Sequence, residues 1–494
     1  MFRRYLSIEK LDSIRSVLFD NITVRQTVLK NTFWLTVGIG ISKLTNFVLL
    51  VFAARVLGVT EYGKFTFALA FVALLTICGD LGISPILIRE FSKEKERESD
   101  FHALLSLKIF LVVGMIMIIS LGSFFVTSSF GIRKIIMILA FYAAVNSVIN
   151  LNVAFFQARQ KMEYQAFGEI VAASTMIILG FIVLLIWPSA ENLSYIFFLS
   201  VLFTLVFITT LLHQKITLFK VRWDIHIWKK YLSMSWPLAF TGFLTLIYSY
   251  IDSVMLGYKG MIIETGWYNA AYRIAAFGFL ISSPICGSFY PVLSEYFKKS
   301  KAGLQKIWEH FSELMIILGI PLTTGGMFLA PRIICFFYGD NFTPSILAFQ
   351  LLIITTGIIF LYTSFQQILI VSGQQKKIFC AILGGAILNI IMNLILIPKF
   401  SLYGAAIATV ITHFLILSLL VIFTVVFTPV RVFFIKFLTV FIGVIVSSGL
   451  MLLIISRPFI YNLSLIFAVL IGIISYFVSI FFYRKLIKLI IEND

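Results

Sequence analysis

Apolar runs long enough to cross a bilayer recur along the whole chain, with only short polar connectors between them. A helix needs roughly 20 apolar residues to cross ~30 Å of hydrocarbon. Runs of that kind lie at 31–56, 63–88, 105–126, 134–158, 164–187, 194–213, 236–256, 266–290, 310–330, 345–370, 378–397, 403–426, 432–456 and 462–483. Numbered one to fourteen in chain order, these spans predict an all-α polytopic membrane protein. No stretch outside them is large enough to form a soluble domain.

The connectors carry a second pattern. Two segments resemble each other: Phe155-Phe156-Gln157-Ala158-Arg159-Gln160-Lys161 after span four, and Ile370-Val371-Ser372-Gly373-Gln374-Gln375-Lys376-Lys377 after span ten. Leu57-Gly58 and Tyr62-Gly63 after span one likewise parallel Leu256-Gly257 and Gly266-Trp267-Tyr268 after span seven. Six spans is an even number, so both copies enter the membrane the same way round, and transporters built from such parallel repeats bind between the halves. The expected organisation is a lead-in at 1–30, a first lobe at 31–213, a linker at 214–235, a second lobe at 236–427, and two additional spans within 428–494. Connectors 214–235 and 291–309 are expected to form surface helices, with Leu293, Phe297, Leu304 and Trp308 of the second on its apolar face.

Composition agrees with the membrane reading: 60% of residues are hydrophobic, 12% are charged and mean hydropathy is +1.02. A soluble domain is about a quarter charged. The formal charge of +17 would suit nucleic acid, but its distribution excludes that partner. Most of the 39 Lys and Arg fall in connectors on the N-terminal side, among them Arg3, Arg4, Lys30, Lys93, Lys215, Lys230, Lys298 and Arg484. Cytoplasmic loops carry that excess, so both termini are expected in the cytoplasm.

Polar groups within spans are costly and mark cavities or partners. Thr36, Lys43 and Asn46 share one face of span one, and Arg55 lies towards its far end. Span two holds Asp80 and ends at Arg89. Span four aligns Asn146, Asn150 and Gln157; span seven aligns Thr241, Thr245, Tyr248 and Asp252. Arg273 in span eight lies at the depth of Asp252 and can pair with it. Gln366, Gln367, Asn389, Asn393 and His413 follow in spans ten to twelve; interhelical hydrogen bonding is the ordinary role of Gln367, Asn389 and Asn393, and His413 reads as a packed, hydrogen-bonded histidine.

Missing motifs narrow the chemistry. No G-x-x-x-x-G-K-[ST] loop and no H-E-x-x-H helix occurs, so neither an intrinsic ATPase nor a zinc site is indicated, and no cofactor is expected. Cys78, Cys286, Cys335 and Cys380 lack metal-type spacing and read as small core residues. The far-side connectors are all short, which disfavours an enzyme that works on the outer face.

Three patches carry a family resemblance. They are Lys30-Asn31-Thr32-Phe33-Trp34 through Asp80-Leu81-Gly82 to Leu87-Ile88-Arg89-Glu90; Ile251-Asp252-Ser253-Val254-Met255-Leu256-Gly257 through Gly266-Trp267-Tyr268-Asn269-Ala270-Ala271-Tyr272-Arg273; and Asn389 through Ile397-Pro398-Lys399-Phe400 to Tyr403-Gly404-Ala405-Ala406. In order and spacing they resemble Wzx-type polysaccharide flippases of the multidrug/oligosaccharidyl-lipid/polysaccharide exporter superfamily. The resemblance implies two six-helix lobes around a central cavity, two extra helices, and export of a polyprenyl-diphosphate-linked oligosaccharide. A polysaccharide polymerase and a chain-length regulator are the partners it suggests. The diphosphate then needs cations: Lys43 and Arg273, with Arg55 and Arg89 nearer the mouths. Asn46, Asn146, Asn150, Gln157, Tyr248 and Gln366 are expected to meet the sugars. Asp80 and Asp252 are expected to be matched by Lys43 and Arg273. A cation-coupled exporter of the same fold, and an integral-membrane polymerase or ligase, are the alternatives.

Overall fold

The computed structural model describes residues 17–93, 100–213, 222–279, 281–432 and 434–493. Among them there is no strand, and twelve helices are long and apolar enough to cross a membrane. Two of these helices each contain two spans. Val24–Leu75 joins spans one and two across a kink at Gly58, and Gln375–Phe427 joins spans eleven and twelve across Ser401. All fourteen predicted spans are therefore present, and the chain is a multi-pass membrane protein. Gly58 has φ 73°, a conformation that costs glycine little because it lacks a Cβ.

The turns preserve the repeat. After span four, the Lys161 N–H donates to the Phe156 carbonyl (3.0 Å) and that of Gln160 to Gln157 (2.9 Å). After span ten, Gln374 donates to Leu369 (2.8 Å) and Gly373 to Ile370 (3.0 Å). Both are Schellman caps, which need a left-handed residue at the C′ position; Gln160 (φ 57°) and Gly373 (φ 73°) fill it.

Span two is interrupted. Helix stops at Leu75, a 3-10 turn covers Thr76–Gly79, Leu81 and Gly82 take φ 44° and 73°, and helix resumes as Ile83–Lys93. Span eight is built from Ile262–Phe279 and Ser282–Lys299.

The chain divides into two compact units, residues 1–254 and 255–494. In the first, Gly38 lets span one cross span five closely, since a Cβ there would lie 2.7 Å from the Ala166 backbone. Small residues serve this purpose in membranes, where close packing takes the place of the hydrophobic drive. In the second unit, spans nine, thirteen and fourteen meet through Ile316, Ile317, Val444, Met451 and Tyr476, whose hydroxyl donates to the Ile317 carbonyl (2.7 Å).

Two expectations are corrected. Described residues 225–235 continue directly into span seven as the helix Ile225–Tyr258, and 291–309 is split between the ends of Ser282–Lys299 and Lys301–Tyr338. Among the described residues neither forms a separate surface helix; 214–221 lie outside them. Leu293, Leu304 and Trp308 are buried together against span ten, and the Trp308 indole N–H donates to the Ser364 carbonyl (3.1 Å). Only Phe297 is exposed. The apolar face formed by Leu293, Leu304 and Trp308 therefore meets protein. Residues 1–16 of the lead-in lie outside the described set, and Val24 already belongs to span one. Of the cysteines, Cys286 is buried but Cys380 is exposed, so the core reading does not extend to Cys380.

Candidate functional site

In the first unit, Thr36 and Lys43 are exposed and Asn46 is half-buried along one side of span one. Arg55 is exposed farther along the same span. This is the face that the i, i+7, i+10 spacing predicts. In span four, Asn146 is half-buried and Asn150 exposed. Gln157 is committed elsewhere: its amide donates to Gln165 of span five (2.6 Å). Along span seven the Thr241, Thr245 and Ser249 hydroxyls donate to backbone carbonyls four residues earlier. Their oxygens keep lone pairs for other donors. Tyr248 is half-buried and Asp252 is buried.

The pairing expected for Asp80 is corrected. Its carboxylate is bound by Lys108 of span three, whose side chain is fully buried, and it accepts from the Ser84 hydroxyl (2.6 Å). A buried ammonium is stable only with such a partner. Lys43 is therefore not the counter-ion. Arg89 is about half-exposed and pairs with Glu90 (3.0 Å). A further buried pair joins spans one and five: the Lys30 ammonium lies 3.1 Å from Glu163, with side chains 1% and 3% exposed, and also donates to Asn21 (2.7 Å). Lys108 and Glu163 were not singled out from sequence. Each lies near a span end, where charge is common, and its partner comes from a span distant in sequence.

In the second unit, Arg273 and Gln366 are both half-buried. Asp252 falls in the first unit and Arg273 in the second. Asn389 and Asn393 are buried and bonded to each other one turn apart (3.1 Å), so that bond runs within one helix. His413 is buried beside Tyr362, the rings stacked at 6.1 Å.

The same unit holds a cavity of about 630 Å³ between spans eight, nine, ten, thirteen and fourteen. Its wall is almost wholly apolar and includes Ile274, Phe277, Leu322, Ile353, Met451 and Phe477. Ile274 directly follows Arg273. The cavity lies within the usual range for ligand sites, roughly 300–1,000 Å³. Its wall suits a hydrocarbon chain and offers nothing to a sugar. Among the described residues, no group of three or more His, Cys, Asp or Glu could hold a metal ion.

Residues 28–297 match the family described as "Polysaccharide biosynthesis protein". Over 74% of its length the chain is 23% identical to a Haloferax volcanii protein named "Probable low-salt glycan biosynthesis flippase Agl15", covering 76% of that protein. It is also 23% identical to the "Capsular polysaccharide biosynthesis protein CapF" of Staphylococcus aureus, over 79% of this chain and 97% of that one. Among solved structures, it is similar in fold to the lipid II flippase MurJ in an inward closed conformation (TM-score 0.72, 16% identity, 91% of this chain and 99% of that one). An inward-facing multidrug resistance MATE transporter is similar too (TM-score 0.62, 12% identity, 86% of this chain and 100% of that one).

Proposed function

We propose that this chain, which belongs to the polysaccharide biosynthesis protein family, is a flippase. It moves a polyprenyl-diphosphate-linked oligosaccharide from the inner to the outer leaflet of the cytoplasmic membrane by alternating access. The name of the Haloferax relative supports this reading. The observation that carries it is the apolar cavity of the second unit, about 630 Å³ in volume and walled by spans eight, nine, ten, thirteen and fourteen. An apolar wall of that size suits a long hydrocarbon tail.

In this reading Lys43 and Arg273 hold the diphosphate, a charge-assisted contact about twice as strong as a neutral one. Arg55 and Arg89 serve the entrances. Asn46, Asn146, Asn150, Tyr248 and Gln366 offer hydrogen bonds to sugar hydroxyls, with Gln157 available once it leaves Gln165. Asp252 acts in gating. The interruption of span two supports transport, because broken helices commonly mark binding regions in transporters. Both termini face the cytoplasm, as the basic bias implies. The chain carries out transport rather than bond-making, and a polymerase and a chain-length regulator act on the delivered glycan.

The test uses the full chain in proteoliposomes. Translocation of a polyprenyl-diphosphate oligosaccharide is compared with that of the same glycan on a lipid lacking the diphosphate, and with uptake of organic cations. Transport of the first substrate alone is expected. Uptake of organic cations without glycan movement would instead identify a cation exporter of the same fold.

A further inference from the structure

The interruption of span two separates two parts of the first unit that pack differently. On one side of it, Glu61 accepts from the Ala190 N–H that opens span six (3.1 Å), and Phe65 rests on Phe197 of that span (5.2 Å). On the other side, Ile83, Ile86, Leu87 and Phe91 share a core with residues of spans three and four, with Ile208 and Leu212 farther along span six, and with Trp228 and Tyr231 at the start of span seven. The two segments of the span thus meet different sets of neighbours, with span six touching both, and residues 76–82 are the joint between the segments.

The joint has little helical backbone of its own. Asp80 and Leu81 both donate to the Ile77 carbonyl (3.1 and 2.8 Å), and Ile83 donates to Asp80 (3.0 Å). The Gly79 carbonyl accepts from the Ser147 hydroxyl of span four (2.9 Å). Leu81 has φ 44°, a region that β-carbon sterics disfavour. Gly82 approaches the Ser235 carbonyl so closely that a Cβ there would lie 2.8 Å away. The strongest polar contact across the joint is the Asp80–Lys108 ion pair, with Lys108 fully buried and Ser84 completing the carboxylate's shell.

We propose that residues 76–82 are a hinge in span two, and that the Asp80–Lys108 ion pair is the latch that holds it closed. With the pair made, segment Ile83–Lys93 is fixed to span three. When the pair parts, the hinge can bend between the two segments of the span. The inference does not depend on the cargo, and holds for any substrate this unit helps to move.

Hydrogen–deuterium exchange of the full chain in lipid nanodiscs tests it, comparing amides 76–84 with those of 404–420 in span twelve. Asp80→Asn and Lys108→Met should each speed exchange at 76–84 by about tenfold or more, which corresponds to 1.4 kcal/mol of lost protection, and leave 404–420 unchanged. Lys108→Arg, which keeps the positive charge, should restore most of the protection. Ser84→Ala removes one hydrogen bond but neither charge, so it should give a smaller increase in a protein that folds normally. Unchanged exchange at 76–84 in the neutralised variants would overturn the proposal, as would Ser84→Ala without effect there. Exchange that rises equally at 404–420, or Lys108→Arg behaving like Lys108→Met, would show a merely structural pair and would also overturn it.

Discussion

Gln160 and Gly373 occupy the same left-handed position in twin turns, and only one of them is glycine. A side chain in that region costs roughly 1–2 kcal/mol. Gln160→Gly should therefore stabilise the chain by about 1 kcal/mol, and Gly373→Gln should destabilise it by a similar amount. Thermal unfolding midpoints in one detergent check both. Asp224 gives a prediction in pH. The Ile227 N–H that it caps holds its carboxyl below the usual carboxylate range; burial opposes this slightly, and Arg222 and the His226 N–H add to it. A group with a lowered folded pKa stabilises above its unfolded pKa and loses that contribution as pH falls through the folded value. The midpoint should therefore drop on acidification below about pH 4, and Asp224→Asn should lessen that drop. An equal acid loss in both proteins would exclude a role for this cap.

At the scale of elements, Lys30–Glu163 fastens span one to span five beside the Gly38–Ala166 crossing. Removing one member of such a buried pair leaves an uncompensated charge and typically costs ~3–5 kcal/mol. Lys30→Ala and Glu163→Ala should each show that loss in thermal or denaturant unfolding, whereas Lys30→Met combined with Glu163→Leu should recover much of it. Sequence alone reads Lys30 as one of many topology charges, because nothing near it in the chain points to Glu163. The spans themselves were legible, since twenty consecutive apolar residues have few other uses. The joint in span two was not. Residues 76–82 include Gly79, Gly82 and Asp80, but glycines and a lone acid also occur in unbroken spans, and nothing in the sequence marks Leu81 as left-handed. The environment of Trp308 and Leu293 was open for another reason: an amphipathic period is the same whether its apolar side meets lipid or a neighbouring span.

For the whole molecule, the electrical gradient across the membrane bears directly on the proposed cargo. Moving one charge through 100 mV is worth ~2.3 kcal/mol, so two negative charges leaving a negative interior gain about 4–5 kcal/mol at that potential. Flipping by the reconstituted chain should therefore accelerate when an interior-negative potential is imposed. Equal rates with and without it would mean that the diphosphate crosses with its charge compensated. The candidate site was only partly readable. The exposed face of Lys43 followed from helical spacing, whereas the partner of Asp80 depends on the packing of span three and has no sequence signature. The apolar cavity is likewise assembled from ordinary core residues of five spans.

The most direct test of the account measures initial rates of polyprenyl-diphosphate oligosaccharide translocation in proteoliposomes for the native chain, Lys43→Ala and Arg273→Ala, at matched insertion and matched unfolding midpoints. The account predicts that each variant is slower by at least about tenfold, the equivalent of 1.4 kcal/mol of lost headgroup stabilisation. Native rates in both variants would contradict it.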